Sequence, residues 1–407
     1  MEVSTKSVTD IINRERAISL LGDLVRIPSP YFYEKRIMDF VYGWLESRGI
    51  PVMFHRFAED KVLNFEGINV TGTIDGDPAG PVILLNGHLD TVELCGGWTM
   101  DPYGCIVEGN RFYGLGACDM KGGCAALLMA LEAFTAQKAP FSGKIVYSFV
   151  CDEEGPFGLG TNALIRDGII NGSMDVALIT EPSSAFAGGT YPCICLGARG
   201  GWNYRVKVTG RSSHGASPEL GINAVSEAAR LLLELERTEL PDHEKLGAGS
   251  MCCIDFEGGG AALSVPDRAS FSIFRHVTIG EDKDSILLEV RDAVEKAALK
   301  GRVSVSFRKA PNPECDGFPA YVVDECNPFV GVLKRSVKAA VGSEPAVGYF
   351  NSVGDYCYTG GLLGIPTLVF GPGGGNFHSA DEYVELDTVE STAWAVLEFL
   401  NRVLGVR

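Results

Sequence analysis

Four short apolar runs, at residues 82–85, 145–150, 176–179 and 367–370, constrain this chain more than any other feature. Residues that are apolar without alternation are buried on both faces, as in strands of a parallel sheet covered by helices. Helical patterns separate the runs. Residues 9–25 carry Ile11, Ile18, Leu21 and Val25 on one stripe, which Pro28 and Pro30 end. Residues 34–48 carry Ile37, Val41, Trp44 and Leu45 and stop at Gly49. Further helices are expected at 121–137 and 161–167. Strand alternating with helix predicts an α/β sheet flanked by helices.

The pattern changes near Gly200. Tyr204, Val206 and Val208 alternate with Arg205, Lys207 and Thr209, as in a half-buried strand. A helix at 223–237, strands at 251–256 and 270–277, a helix at 282–299 and a strand at 303–307 come next. That order is βαββαβ, the ferredoxin-like unit. Helices at 328–341 and 388–404 then resume the first pattern. The expected architecture is an α/β domain of residues 1–198 and 311–407, with a mixed sheet flanked by helices, interrupted by a ferredoxin-like α+β domain at 199–310.

Composition narrows the partners. With 52 acidic and 35 basic residues the formal charge is −17, which argues against nucleic acid and anionic lipid as partners. No run of eighteen apolar residues occurs, and the start lacks the apolar block of a signal peptide, so no membrane association is expected. The twelve cysteines form no C-x-x-C pair and read as reduced, mostly buried thiols of a cytoplasmic protein. Cys95, Cys118 and Tyr191 read as packing.

The chemistry-bearing residues stand at the carboxyl end of each apolar run. The first run leads into Asn86-Gly87-His88-Leu89-Asp90, the second into Cys151-Asp152-Glu153-Glu154, the third into Glu181, and the fourth into a glycine-rich segment ending at His378. Sites in α/β sheets form outside the carboxyl ends of the strands, so these residues can converge on one rim. Asp119 sits just before a helix, where the helix N-terminus favours its charge. Two imidazoles and several carboxylates make a nitrogen/oxygen set suited to zinc, cobalt or manganese. The set is too large for one catalytic zinc, which takes three protein ligands. It fits a pair of metals about 3.5–4 Å apart sharing one carboxylate.

The strings Gly87-His88-Leu89-Asp90-Thr91-Val92 and Tyr113-Gly114-Leu115-Gly116-Ala117-Cys118-Asp119-Met120-Lys121-Gly122-Gly123 resemble a large amidohydrolase family. Asp152-Glu153-Glu154-Gly155, Thr180-Glu181-Pro182, Ser213-His214-Gly215 and His378-Ser379-Ala380-Asp381-Glu382 match it in order. The family includes acetylornithine deacetylase, succinyl-diaminopimelate desuccinylase, aminoacylase and glutamate carboxypeptidase. The resemblance implies two divalent metals, zinc first and cobalt or manganese as alternatives. His88 and Glu181 would hold one, His378 and Glu154 the other, with Asp119 bridging. It implies Asp90 as the residue orienting His88, Glu153 as general base, and His214 as the lid histidine that stabilises the oxyanion. It also implies an often cis Asp119–Met120 bond, and an inserted domain that acts as lid and homodimer interface. Outside these strings, His55 and His243 read as structural, and so does His276 unless the altered motif it falls in contacts substrate.

The chain departs from the family at Leu115, where members carry Arg, and at 274–280, where a D-x-R-x-x-P-G motif reads Phe-Arg-His-Val-Thr-Ile-Gly. The family's Gly-Gly-Thr loop becomes Asn351-Ser352-Val353-Gly354-Asp355. Arg275, His276, Asn351 and Gly354 are therefore the candidate substrate contacts. The expected activity is hydrolysis of the amide of a small N-acyl amino acid, since a metal lowers the pKa of bound water to about 7. Alternatives are a dipeptidase or carboxypeptidase of the same family, a hydrolytic deaminase of an unusual amine, or a non-catalytic ligand-binding relative.

Overall fold

In the computed structural model, which describes residues 7–406, the four apolar runs lie side by side as parallel strands. Ser142–Val150, Asp77–His88, Val176–Ile179 and Thr367–Val369 stand in that order across the sheet. Their register is set by apolar pairs: Leu85 faces Tyr147 on one side and Leu178 on the other, and Leu178 faces Leu368. Val176–Ile179 and Thr367–Val369 are buried throughout, as non-alternating runs require.

The sheet is mixed. Met53–Glu59 and Phe65–Asp75 add antiparallel strands on one side, and Cys193–Ala198 pairs antiparallel with Thr367–Val369 on the other. Ala346–Phe350 runs parallel to Cys193–Ala198. Helix Gly122–Ala136 is buried through Phe134, because it is apolar all round. It packs against Arg14–Val25 and Leu386–Leu404. These elements belong to a first unit, comprising the chain through Ala198, Val322–Phe350 and the segment from Gly354 onward.

The second unit comprises Arg199–Tyr321 and Asn351–Val353. Its sheet runs Ser250–Gly259, Arg268–Val277, Gly200–Thr209, Arg302–Phe307, each pair antiparallel. Helices Ala224–Glu236 and Lys283–Ala297 bury Leu231, Ile286 and Val290 with Tyr204, Val206, Phe271 and Ile273. Asn223 and Asp282 cap those helices, accepting from the amides of Ser226 and Ser285.

Two features differ from the sequence expectation. The helix expected at 9–25 is broken into Val8–Ile11 and Arg14–Val25. Ile12 is extended, and the Asn13 side chain takes the Arg16 amide at 3.0 Å, starting a new helix. Four very short strands, Ile106–Glu108, Arg111–Tyr113, Gly374–Gly375 and Tyr383–Glu385, form a further sheet. They are too short for periodicity to reveal, yet they tie the segment carrying His378 to the loop that leads into Asp119. All twelve cysteines are free. Among the described residues, no helix is long and apolar enough to cross a membrane.

Candidate metal centre

The carboxyl ends of the four parallel strands deliver the polar residues to one place in the first unit. His88 ends Asp77–His88 and is 1% exposed. Its Nε2 lies 3.2 Å from Asp119 Oδ1 and 3.5 Å from Glu181 Oε1. His378 Nε2 lies 3.4 Å from Asp119 Oδ2 and 3.0 Å from Glu154 Oε2. The two oxygens of Asp119 thus face different imidazoles, the geometry of a bridging carboxylate. Two triads result, His88–Asp119–Glu181 and Asp119–Glu154–His378, each with ligand atoms within 4.8 Å of one another. The first is buried, whereas the His378 side chain in the second is half exposed.

Asp119 stands on a turn that neither helix nor strand propensity would build. Gly116 takes φ +75°, and Asp119 has φ −117°, ψ 97° before the helix begins at Gly122. The Asp119–Met120 bond is cis. Glu382 holds this turn. Its buried carboxylate accepts the amides of Gly116 at 2.8 Å, Cys118 at 2.8 Å and Asp119 at 3.0 Å. The next helix can approach because Gly123 has no side chain. A Cβ there would stand 2.0 Å from the carbonyl oxygen of Thr180, the residue before Glu181. His378 has φ 57°, a left-handed conformation rare outside glycine. Asp381 pins its loop by accepting the amides of Thr99 and Met100 at 2.8 and 3.0 Å.

Asp90 joins the two triads. Its Oδ1 is 3.5 Å from His88 Nδ1, and its Oδ2 accepts the Glu154 amide at 2.8 Å. Glu153 Oε2 is 3.9 Å from His88 Nε2, while its Oε1 accepts the Asp355 amide at 3.2 Å. Gly354 lies beside it: a Cβ there would meet Glu153 Oε1 at 2.8 Å.

The electrostatics are those of too many acids in too little water. Burial, opposed by His88, pushes the Glu181 carboxyl up to about 8. Burial and then Asp119 lift Glu154 to about 7. Burial raises Glu153 well above the usual carboxylate range. Burial works against a charged His88, but Glu181, Asp119 and Asp90 hold its pKa well above the usual imidazole value. Hydrogen bonds to Asp119 and Glu154 raise His378 to about 11. Glu181 Oε2 is buried without a hydrogen-bond partner, a costly state for a carboxylate oxygen. Divalent cations would give that oxygen and the neighbouring lone pairs their partners, and imidazole with carboxylate is a suitable donor set.

The other sequence candidates have surroundings of their own. His214 is exposed on a loop of the second unit, its Nδ1 accepting the Ala216 amide at 3.1 Å. Arg275, expected to replace the family's arginine as a substrate contact, is fully buried in the second unit. There it pairs with Glu281 and, at 2.7 Å, Glu289. Its position on Arg268–Val277 puts its side chain on the helix-facing side with Ile273, which is why it is spent on internal ion pairs. His276 bonds Ser250 Oγ at 3.1 Å, and burial lowers its pKa to about 4. Asn351 is exposed in the second unit. His55 is held by Asp167 at 2.8 Å and Asn69 at 3.2 Å, and His243 Nδ1 accepts the Lys245 amide at 3.2 Å.

Sequence reasoning does not single out Glu382, Asp355 or Glu34. Glu382 has a visible signal, an acid four residues beyond His378. Asp355 touches Glu153 only through the fold. Glu34 opens a helix and reads as an ordinary first-turn acid, yet its Oε1 accepts the Asp152 amide at 3.1 Å.

The chain has counterparts among known proteins in sequence and in fold. The sequence is 29% identical over 392 residues to a succinyl-diaminopimelate desuccinylase of Methylorubrum extorquens, covering 94% of this chain and 98% of that one. It is 26% identical over 393 residues to the desuccinylase of Methylocella silvestris, covering 95% and 97%. The fold matches aminopeptidase PepT of Bacillus cereus with TM-score 0.76 at 21% identity, covering 97% of this chain and 99% of that one. It matches the di-peptidase Dug1p of Saccharomyces cerevisiae with TM-score 0.74 at 15% identity, covering 100% and 99%. A sequence profile of peptidase family M20/M25/M40 matches residues 84–402, a span that contains both histidine–carboxylate triads. The chain therefore belongs to peptidase family M20/M25/M40 and is a metal-dependent hydrolase.

Proposed function

We propose that the protein hydrolyses the amide bond of a small N-acyl amino acid. The observation that carries this reading is the split of Asp119 between His88 and His378, at 3.2 and 3.4 Å, with Glu153 beside the pair. In this reading His88, Asp119 and Glu181 hold one divalent cation and Asp119, Glu154 and His378 a second, zinc before cobalt or manganese. Such cations, when bound, activate water and polarise the scissile carbonyl. Glu153 takes the proton of the attacking water and returns it to the departing amine. Asp90 fixes the His88 ring from its Nδ1 side. His214, in the matched string Ser213-His214-Gly215, is the candidate for a donor to the developing oxyanion.

The desuccinylase names of the sequence relatives support an N-acyl amino acid substrate. The fold shared with a di-peptidase favours a second reading, peptide hydrolysis by the same groups. The test is amine release from matched N-acyl amino acids and dipeptides, with divalent metal and with chelator. Chelator-sensitive release is expected. A Glu153→Gln variant should keep its fold and metal yet lose several orders of magnitude in kcat. Wild-type rates in that variant would sink the assignment.

We further propose a cytoplasmic homodimer formed through the second unit. Supporting it, the edge strand Ser250–Gly259 exposes Ile254 and Phe256, apolar side chains on an unpaired strand edge that invite pairing with another chain. Sedimentation showing monomer alone at micromolar concentration would count against it.

A further inference from the structure

We propose that the substrate group beside the His378–Glu153 side of the centre is apolar or aromatic, received by Phe186 and Phe377, and carries no carboxylate. The proposal rests on the hydrolase reading above and names its substrate class. A run of aromatic rings connects one end of the centre to the other. Phe377 precedes His378, and its ring lies 6.2 Å from the imidazole. It meets Phe186 edge-on at 4.9 Å, Phe186 meets Phe350 at 5.3 Å, and Phe350 meets Tyr356 at 5.1 Å. All three contacts are edge-to-face, with interplanar angles of 60–75°. Tyr356 closes on Gly354, where a Cβ would lie 2.6 Å from its ring and 2.8 Å from Glu153 Oε1.

The same run is tied to the third strand end, because Phe186 ends the short helix Ser183–Phe186 that begins two residues after Glu181. The rings thus form an arc that starts at one metal-ligand candidate and ends at the candidate base. Phe350 and Tyr356 are each 1% exposed and act as backing. Phe186 and Phe377 are only partly buried, so theirs is the carbon surface of the arc that stays open.

Charge points the same way. Every ion pair of Asp119, Glu153, Glu154 and Glu181 among the described residues is with His88 or His378. The nearby buried cation, Lys121, turns its Nζ to the carbonyl oxygens of Leu24 and Ile27 at 3.2 and 3.0 Å. A carboxylate-bearing substrate arm along the arc would lose its hydration against the carbon surface of Phe186 and Phe377. A phenyl or alkyl arm would meet the surface it prefers.

The test is kcat/KM of the metal-loaded enzyme on a matched panel of N-acyl amino acids and dipeptides. One position is varied between phenyl, butyl, methyl and a succinyl-type or glutamyl carboxylate. The phenyl or butyl member is expected to exceed the carboxylate member by at least about ten-fold, since small changes in an apolar pocket are worth ten-fold or more. Phe186→Ala and Phe377→Ala should each shrink that ratio several-fold, mainly through KM, with partial rescue in Phe186→Leu and Phe377→Leu. Equal or better turnover of carboxylate-bearing members, or an unchanged ratio in both alanine variants, overturns the aromatic arc and leaves the hydrolase reading standing. Turnover of no panel member by the folded, metal-loaded enzyme overturns the hydrolase reading itself.

Discussion

Glu382 shows how much one side chain outside the candidate ligand set can decide. Its carboxylate accepts three amides of the turn that presents Asp119. Removing it strands three buried N–H groups, at about 1–3 kcal/mol each. Glu382→Ala is expected to lower both stability and metal affinity, and Glu382→Gln, which keeps one acceptor oxygen, to fall between. Urea midpoints and calorimetric metal titration measure the two effects. Metal binding by Glu382→Ala with wild-type affinity would remove its positioning role. Its sequence position hints at importance, but a carboxylate that binds only backbone leaves no trace in the residues it holds.

At the scale of elements, the helix starting at Gly122 and the strand Val176–Ile179 must touch for Asp119 and Glu181 to meet. Gly123 permits this, because a Cβ would lie 2.0 Å from the Thr180 carbonyl. Gly123→Ala is expected to cost about 1–3 kcal/mol through overpacking and to weaken metal binding, since it separates the two elements that carry the candidate ligands Asp119 and Glu181. The cap of Arg14–Val25 offers the contrast. Asn13→Ala removes the bond to the Arg16 amide and should cost about 1 kcal/mol without changing metal affinity. Thermal melts with and without metal separate the two cases. The break in the helix expected at 9–25 escapes periodicity for a related reason: the apolar stripe is continuous, so the interruption at Ile12 is visible only once Asn13 is seen turning back on Arg16.

For the whole molecule, acids gathered around the centre couple folding to pH and to metal. Glu34 is 3% exposed, and burial together with Asp90 pushes its carboxyl from 4.5 to about 8. Between those values the folded state keeps a proton that the unfolded chain has released, so stability falls as pH rises. The contribution is complete below the unfolded value and lost through about pH 8. Chelator-treated protein should therefore lose stability from about pH 5 to 8. Glu34→Gln, which can still accept the Asp152 amide, should flatten that slope by up to about 1.4 kcal/mol per pH unit. Urea titrations at several pH values measure the slope, and an identical slope in the variant would assign the proton elsewhere. Divalent metal should raise the melting temperature in proportion to the logarithm of its concentration, and a melting point indifferent to metal would contradict a built centre.

Apolar runs and half-buried alternation are enough to read the α/β sheet, the βαββαβ unit and the residues at the strand ends, because burial on one or two faces is written directly into side-chain order. The motifs naming His88, Asp119, Glu153, Glu154, Glu181 and His378 are equally local. What only the tertiary structure decided depends on residues distant in the chain. Asp119 divides its oxygens between histidines 31 positions before it and 259 after it. Arg275 is lost as a substrate contact because its strand position turns it toward Glu281 and Glu289. The arc from Phe377 to Tyr356 draws on three separate segments. Periodicity reports how one residue is buried relative to its neighbours, whereas these contacts are set by which elements the sheet order makes adjacent.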